Sequence, residues 1–340
     1  MRHKLQRAVA LYRHRGLPAV GNALCKLYDR RLRPARAHSV PHYLIVETTT
    51  RCNLSCRFCP RTAEGVTGGQ DMAVADFVRI LDQFPLLEGV VVQGIGEPLL
   101  HPGLFDMIRV ARERGIQTEF NTNGTLLQEQ RCTAIIASGV ELVSVSVDAV
   151  EPAQFAELRR GATLDQVAAG LRRLVAARQA AGVTHPQLML RTVVSRRNYD
   201  ALPAIIAWGR AQGINTFVLQ DLLVCSPEDD DQVIDAQAYA ALIREVSRWQ
   251  RTKGDILLVG FNRYLPSIGR SRCGDPWDQP FIAVDGSVVP CCTIGDPRRI
   301  SFGNVFQRPF AEIWNDAAYQ AFRRGFDRMR PVVCRGCSKY

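Results

Sequence analysis

The chain has 340 residues, 46% hydrophobic and 22% charged, with eleven cysteines and a formal charge of +10. That composition is globular, without low-complexity tract or repeat, and no apolar run approaches the roughly eighteen residues of a membrane-spanning helix. The N-terminus lacks the uninterrupted apolar core of a signal peptide, so a cytoplasmic protein is expected, whose cysteines stay reduced and serve metals. The charge is unevenly placed. Residues 1–36 hold ten Lys/Arg against the single acid Asp29, a balance of +9, while the rest holds 33 bases against 32 acids. Leu5, Ala8, Val9 and Tyr12 recur at helical spacing, and after Gly16 so do Val20, Leu24, Leu27 and Tyr28. The pattern predicts a helical pair with two readings: a packed element wearing a solvated basic face, or an amphipathic arm for an anionic surface. The second would place the protein at the membrane periphery; no specific nucleic acid is expected as a partner.

From residue 42 strands and helices alternate. β-Branched apolar runs predict strands over 42–48, 89–94, 116–120, 141–147, 187–194 and 215–220. Helical periodicity falls over 73–84, 103–114, 127–138, 164–181, 199–212 and 235–251. Gly115, Gly139, Gly182 and Gly213 stand after helices and before strands, where a left-handed cap is wanted. Six such units imply a parallel sheet covered by helices, too few for a closed eight-strand barrel. An open barrel or a doubly wound sheet remains, and either puts chemistry at the C-terminal strand ends. The fold class expected is α/β, a partial (β/α)6 TIM-like barrel with a small C-terminal cluster-binding subdomain. Three regions follow: a basic helical arm over 1–40, the core over 41–253, and the turn-rich, cysteine-rich 254–340. So short a segment is expected to be held by metal more than by a core.

Directly after the first strand, "TTTRCNLSCRFCPRT" places Cys52, Cys56 and Cys59 within eight positions. Thiolates ligate iron–sulfur clusters, and three of them on a four-iron cube leave one iron open to an outside ligand. A zinc site would need a fourth ligand, and the nearest imidazole, His42, lies at the far end of the strand.

This CxxxCxxC run, with Phe58 before the third cysteine, resembles the radical S-adenosylmethionine (SAM) superfamily. The resemblance implies that the open iron chelates SAM, whose reductive cleavage gives a 5′-deoxyadenosyl radical. Further positions match. "QGIGEP" looks like the family's GGE motif, with Gly94 and Gly96 allowing close backbone approach and Glu97 accepting from the SAM ammonium. "NTNG" carries Asn123 at the third strand's end, and "SVSVDA" is similar to an SxD signature that puts Ser146 and Asp148 near the SAM ribose and methionyl group. In "LRRGATLDQV" the resemblance assigns Arg160 to the SAM carboxylate.

The remaining cysteines form a second set. "FIAVDGSVVPCC" reads as a hairpin turning on Asp285-Gly286 and presenting Cys291. With Cys273 before it and the Cys334/Cys337 pair after, it resembles the SPASM/twitch extension, with the single-cluster twitch form fitting better. These four thiolates would hold an auxiliary [4Fe-4S] cluster beside the SAM-binding one; four cysteines also describe a structural zinc site. Cys292 is either an alternate ligand or a small core residue, and Cys132 is packing. Cys225 follows the sixth strand, where a thiol is placed either to give a hydrogen atom to a substrate radical or as an ordinary loop cysteine. Gln93, Asn121, Gln220 and Asp221, polar residues at strand ends, are expected to line the substrate pocket.

The expected function is radical SAM oxidoreduction, dehydrogenating a sugar, cyclitol or related small-molecule alcohol, with the auxiliary cluster as electron acceptor and flavodoxin or ferredoxin as one-electron donor. The substrate class rests on fold-level analogy. The alternatives are an epimerase using Cys225 as hydrogen donor, a peptide maturase, or, outside enzymes, a metal-stabilised binding protein with a basic arm.

Overall fold

The structure, a computed structural model, describes residues 2–251, 255–259, 273–326, 329–335 and 337. A long helix, α1 (Arg2–Leu32), is broken at Gly16 (φ 73°), with Pro18 following, so it is two helical segments as the periodicity predicts. The barrel begins with β1 (Tyr43–Val46), followed by α2 (Pro60–Ala63) and α3 (Val74–Asp82). Next come β2 (Gly89–Val92), α4 (Leu104–Glu113), β3 (Gln117–Thr122), α5 (Glu129–Ser138) and β4 (Leu142–Ser146). The chain continues through α6 (Pro152–Leu158), α7 (Leu164–Ala180), β5 (Gln187–Val194), α8 (Leu202–Ala211), β6 (Thr216–Asp221) and α9 (Ala236–Gln250). Gly115, Gly139, Gly182 and Gly213 all take positive φ, as their places after helices require.

Two findings enlarge the expected six-strand core. A further strand, β7 (Asp255–Val259), pairs parallel with β6, although its sequence lies in the segment expected to be C-terminal subdomain. On the opposite edge, β8 (Phe281–Ile282) pairs parallel with β1, and β9 (Val288–Val289) pairs antiparallel with β8. The sheet is therefore nine strands in the order β7-β6-β5-β4-β3-β2-β1-β8-β9, with both edges free to each other: an open, partial barrel. The hairpin turns at Gly286 (φ 86°), and Ser287 N donates to Asp285 Oδ1 at 2.9 Å.

The C-terminal unit, α10 (Asp275–Asp278), α11 (Phe310–Trp314) and α12 (Ala317–Phe326), has a larger core than its turn-rich sequence suggests. Trp277, Phe302, Phe310, Trp314, Tyr319 and Phe326 join Leu44, Val46 and Phe84 in one continuous core. Phe302 stacks on Tyr319 with centroids 3.9 Å apart. The Arg323 guanidinium, buried, lies 4.2 Å from both the Trp314 and Tyr319 rings and donates to Pro276 O and Trp314 O. Aromatic area of this size supplies a hydrophobic core that a turn-rich sequence conceals.

Candidate active site and second cluster site

The loop after β1 is fixed at many points before it presents its thiols. Met72 N donates to Thr48 O at 2.8 Å, Thr49 Oγ1 to Asp71 Oδ1 at 2.6 Å, and Glu97 N to Arg51 O at 2.7 Å. Arg51 forks onto both Asp71 oxygens at 3.0 and 2.6 Å, a bidentate pair. Further along, Ser55 N donates to Arg160 O and Arg57 N to Leu158 O, both at 3.0 Å. Cys52, Cys56 and Cys59 are all partly buried, and Cys52 and Cys56 each feel the charge of a neighbouring cysteine in the loop. Burial pushes the Cys52 thiol up to about 11 and raises Cys56. Thiolates at such positions need a neighbouring cation, and soft sulfur donors select iron–sulfur clusters.

The glycines of "QGIGEP" serve the loop itself. A Cβ on Gly96 would stand 2.2 Å from Thr49 O and 2.8 Å from Arg51 O, and one on Gly94 would stand 2.3 Å from Glu47 Oε1. The space a side chain would need at Gly94 and Gly96 is filled by Glu47 and by the cysteine loop. Glu97 likewise turns inward: fully buried, its carboxylate accepts from Leu99 N at 3.1 Å, Thr122 Oγ1 at 2.7 Å and Asn123 N at 2.7 Å. The structure thus gives Glu97 a bracing role between the ends of β2 and β3. Asn123 is braced too, accepting from Thr125 N and donating to Asn53 Oδ1 at 2.9 Å in each case. Phe58 packs on the main core with Arg57 over its ring.

Of the two neighbouring arginines, it is not Arg160 but Arg159 that turns toward the thiols. Arg160 is exposed and gives only its carbonyl, while Arg159 turns in. Arg159 Nη2 lies 2.6 Å from Asp148 Oδ2, and Nη1 lies 4.0 Å from Cys56 Sγ. Burial alone would lower the Arg159 pKa, but Asp148 beside it holds it above the ordinary value. Asp148 is engaged again by Val193 N at 2.8 Å. Gly161 (φ 98°) lets this turn lie against Leu54. Ser146, half-buried, ends β4 opposite Arg191.

Pairing register places a second polar set inside the barrel. Gln93, Glu119, Asn121, Ser144, Arg191 and Gln220 alternate with residues facing the helices. Asn121 Nδ2 donates to Gln93 Oε1, Arg191 Nη1 donates to Gln220 Oε1 at 3.3 Å, and Arg191 Nη2 lies 4.0 Å from Glu119 Oε1. Gln93, Asn121 and Gln220 were legible as strand-end polar residues; Asp221, expected beside them, alternates to the opposite face of β6 and is buried. Arg191, Glu119 and Ser144 lie inside strands, where sequence reading assigns packing. Alternation, counted outward from the strand ends, is the signal that finds them.

Glu47 is a further residue that sequence reading missed. Buried at the end of β1, it accepts from Ile95 N at 3.0 Å and Val284 N at 3.4 Å, tying the barrel to the C-terminal hairpin. Burial raises its pKa from 4.5 to about 7. A raised carboxyl pKa adds stability that is complete below pH 4.5 and gone above about pH 7. Glu47→Gln is therefore expected to stabilise the protein relative to the parent at pH 8, by up to about 3 kcal/mol, and hardly at all at pH 5. Urea melts at the two pH values check this; an equal effect at both would refute it.

Cys225 lies in the loop after β6, half-buried, its Sγ 3.5 Å from Leu223 O. Burial, reinforced by the nearby Cys59, pushes it up to about 12, so it carries its hydrogen at neutral pH. On the other side of β1, Cys273, Cys291, Cys334 and Cys337 line a single cavity with Asp275, Phe322 and Phe326. Burial raises Cys291 strongly and Cys334 to about 11. Cys292, one residue on, packs with Ile45, Phe281, Ala283 and Val289 away from that cavity, as a core residue does.

The open β/α barrel presents three thiols on the loop after β1, and four more line a separate cavity; soft sulfur donors in these numbers suit iron–sulfur clusters. The family model described as Radical SAM superfamily matches residues 46–193, and the iron–sulfur cluster-binding domain SPASM matches 273–338. A tungsten-containing aldehyde ferredoxin oxidoreductase cofactor-modifying protein of Pyrococcus furiosus is 31% identical over 322 residues, covering 87% of this chain and 87% of the relative. The PqqA peptide cyclase of Gluconobacter oxydans is 27% identical, covering 88% of this chain and 84% of the cyclase. The fold matches that of Streptococcus suis SuiB bound to S-adenosylmethionine, with a TM-score of 0.74, 18% identity, and coverage of 98% of this chain and 79% of SuiB. The chain belongs to the radical SAM superfamily and carries a C-terminal SPASM domain.

Proposed function

We propose that this enzyme removes a hydrogen atom from a C–H bond of a peptide and so prepares the peptide for a new covalent bond. Cys52, Cys56 and Cys59 would hold the first cluster, which together with SAM would supply a 5′-deoxyadenosyl radical able to attack such a bond. The polar barrel interior carries the proposal. Three of its buried atoms lack a partner among the described residues: Arg191 Nε, a donor; Asn121 Oδ1, an acceptor; and Ser144 Oγ, which is both. Leaving such atoms unpaired is costly, and an amide group supplies both complements at once. Glu47 and Glu119, each with a pKa raised by burial, are carboxylates able to take up the proton, and the remaining electron would leave to the cluster that Cys273, Cys291, Cys334 and Cys337 would hold. The name of the Gluconobacter relative, PqqA peptide cyclase, supports the peptide reading. The expectation of a sugar or cyclitol alcohol finds no such support, and the peptide alternative takes its place. A flavodoxin or ferredoxin fits as electron donor.

Anaerobic reconstitution with dithionite and SAM, followed by incubation with peptide and cyclitol panels, tests the reading. The expected result is 5′-deoxyadenosine release stimulated by a peptide, which loses two hydrogen atoms by mass. Stimulation by a cyclitol alone, with peptides unchanged, would return the substrate to the alcohols.

A further inference from the structure

The second segment of α1 divides into two faces of opposite character. Its inner face is polar and fully engaged with the protein. Asn22 exchanges two hydrogen bonds with the Val40 backbone, and Asp29, buried, accepts from Ser39 N at 2.8 Å and Ser39 Oγ at 2.7 Å. Lys26 Nζ lies 3.5 Å from Asp278 Oδ1, and Arg30 Nε lies 2.7 Å from Asp278 Oδ2. Its outer face is mostly apolar and exposed: Leu17, Leu24, Leu27 and Leu32 are each 58–72% exposed and Tyr28, edge-on to His38, is 47% exposed, with the exposed Arg31 among them. At 100° per residue the four leucines and Tyr28 fall within an arc of about 140°, along roughly 23 Å of helix. A soluble helix normally buries its apolar stripe and wets its polar face. Here the arrangement is reversed, and the reversal is held in place by Asp278, Ser39 and Val40.

We propose that this face lies on an anionic lipid surface. The occupant is chosen by charge: residues 1–36 carry +9 of the chain's +10, so an apolar stripe long enough for an interfacial helix runs through its most basic segment. Among the described residues no helix is long and apolar enough to cross a membrane, so the contact is with the surface only. The inner face also decides how the idea is tested. Removing residues 1–36 would strip Lys26 and Arg30 from Asp278 and Asp29 from Ser39, so loss of binding on truncation would be uninformative.

The test uses the full chain and vesicles of phosphatidylcholine with or without phosphatidylglycerol. The parent protein is expected to float with the mixed vesicles, weakly with pure phosphatidylcholine, and less as salt rises. Leu24→Ser with Leu27→Ser should weaken partitioning by roughly tenfold per site, with an unchanged thermal melt and unchanged SAM cleavage. A parent protein that ignores mixed vesicles overturns the proposal, as does a double variant that binds like the parent. So does a sedimentation equilibrium in which the same substitutions convert a dimer to a monomer, because a second copy would then cover the stripe.

Discussion

Replacing Cys52, Cys56 and Cys59 together with alanine is expected to halve the iron bound after anaerobic reconstitution, from about eight atoms per chain to about four. Release of 5′-deoxyadenosine should stop altogether. The halving follows from the separation of the two thiol sets. The first hangs on the loop after β1; the second lines its own cavity among Pro290, Phe322 and Phe326, within an aromatic core that the substitutions do not touch. The loop should also keep its shape without its thiols, since Thr49, Arg51, Asp71 and Glu97 fix it from outside the cysteines. Iron falling to zero would show that the second site needs the first. Iron remaining at the parent level would remove the three thiols from any cluster.

The barrel was legible because its signal is local. Each βα unit writes its own alternation and its own capping glycine, so strands β1 to β6 and their helices stand close to where the periodicity puts them. What was not legible depends on pairing between distant segments. β7 is a short apolar run outside the alternation read from the sequence, and only its pairing with β6 marks it as sheet. β8 reads as one arm of a hairpin, while its second partner, β1, lies more than two hundred residues away in sequence. The site divided the same way. Cysteine spacing located both thiol sets without any structure. Which arginine of Arg159 and Arg160 faces inward is decided by the turn at Gly161 and by hydrogen bonds from Ser55 and Arg57, and no motif records those.

That neighbouring pair makes the sharpest test of the geometry. Arg159→Met is expected to destabilise the protein by about 3–5 kcal/mol, the usual cost of removing one partner from a buried ion pair. The Asp148 carboxylate, with its side chain 8% exposed, would be left with Val193 N at 2.8 Å and no cation. Arg160→Met, one residue away, should change stability by no more than about 0.5 kcal/mol, since its side chain is in water and its carbonyl still accepts from Ser55. Chemical denaturation of both variants gives the comparison. A second readout separates bracing from a role at the cluster. Arg159 Nη1 stands 4.0 Å from Cys56 Sγ, so losing its charge should lower the midpoint potential of the first cluster and leave the second unmoved. Asp148→Asn should cost comparable stability while keeping that cation in place, and so should move the potential in the opposite direction. If Arg160→Met proved the more damaging change, the inward arginine would be the one the motif named, and the turn at Gly161 would have to run one residue out of its present register.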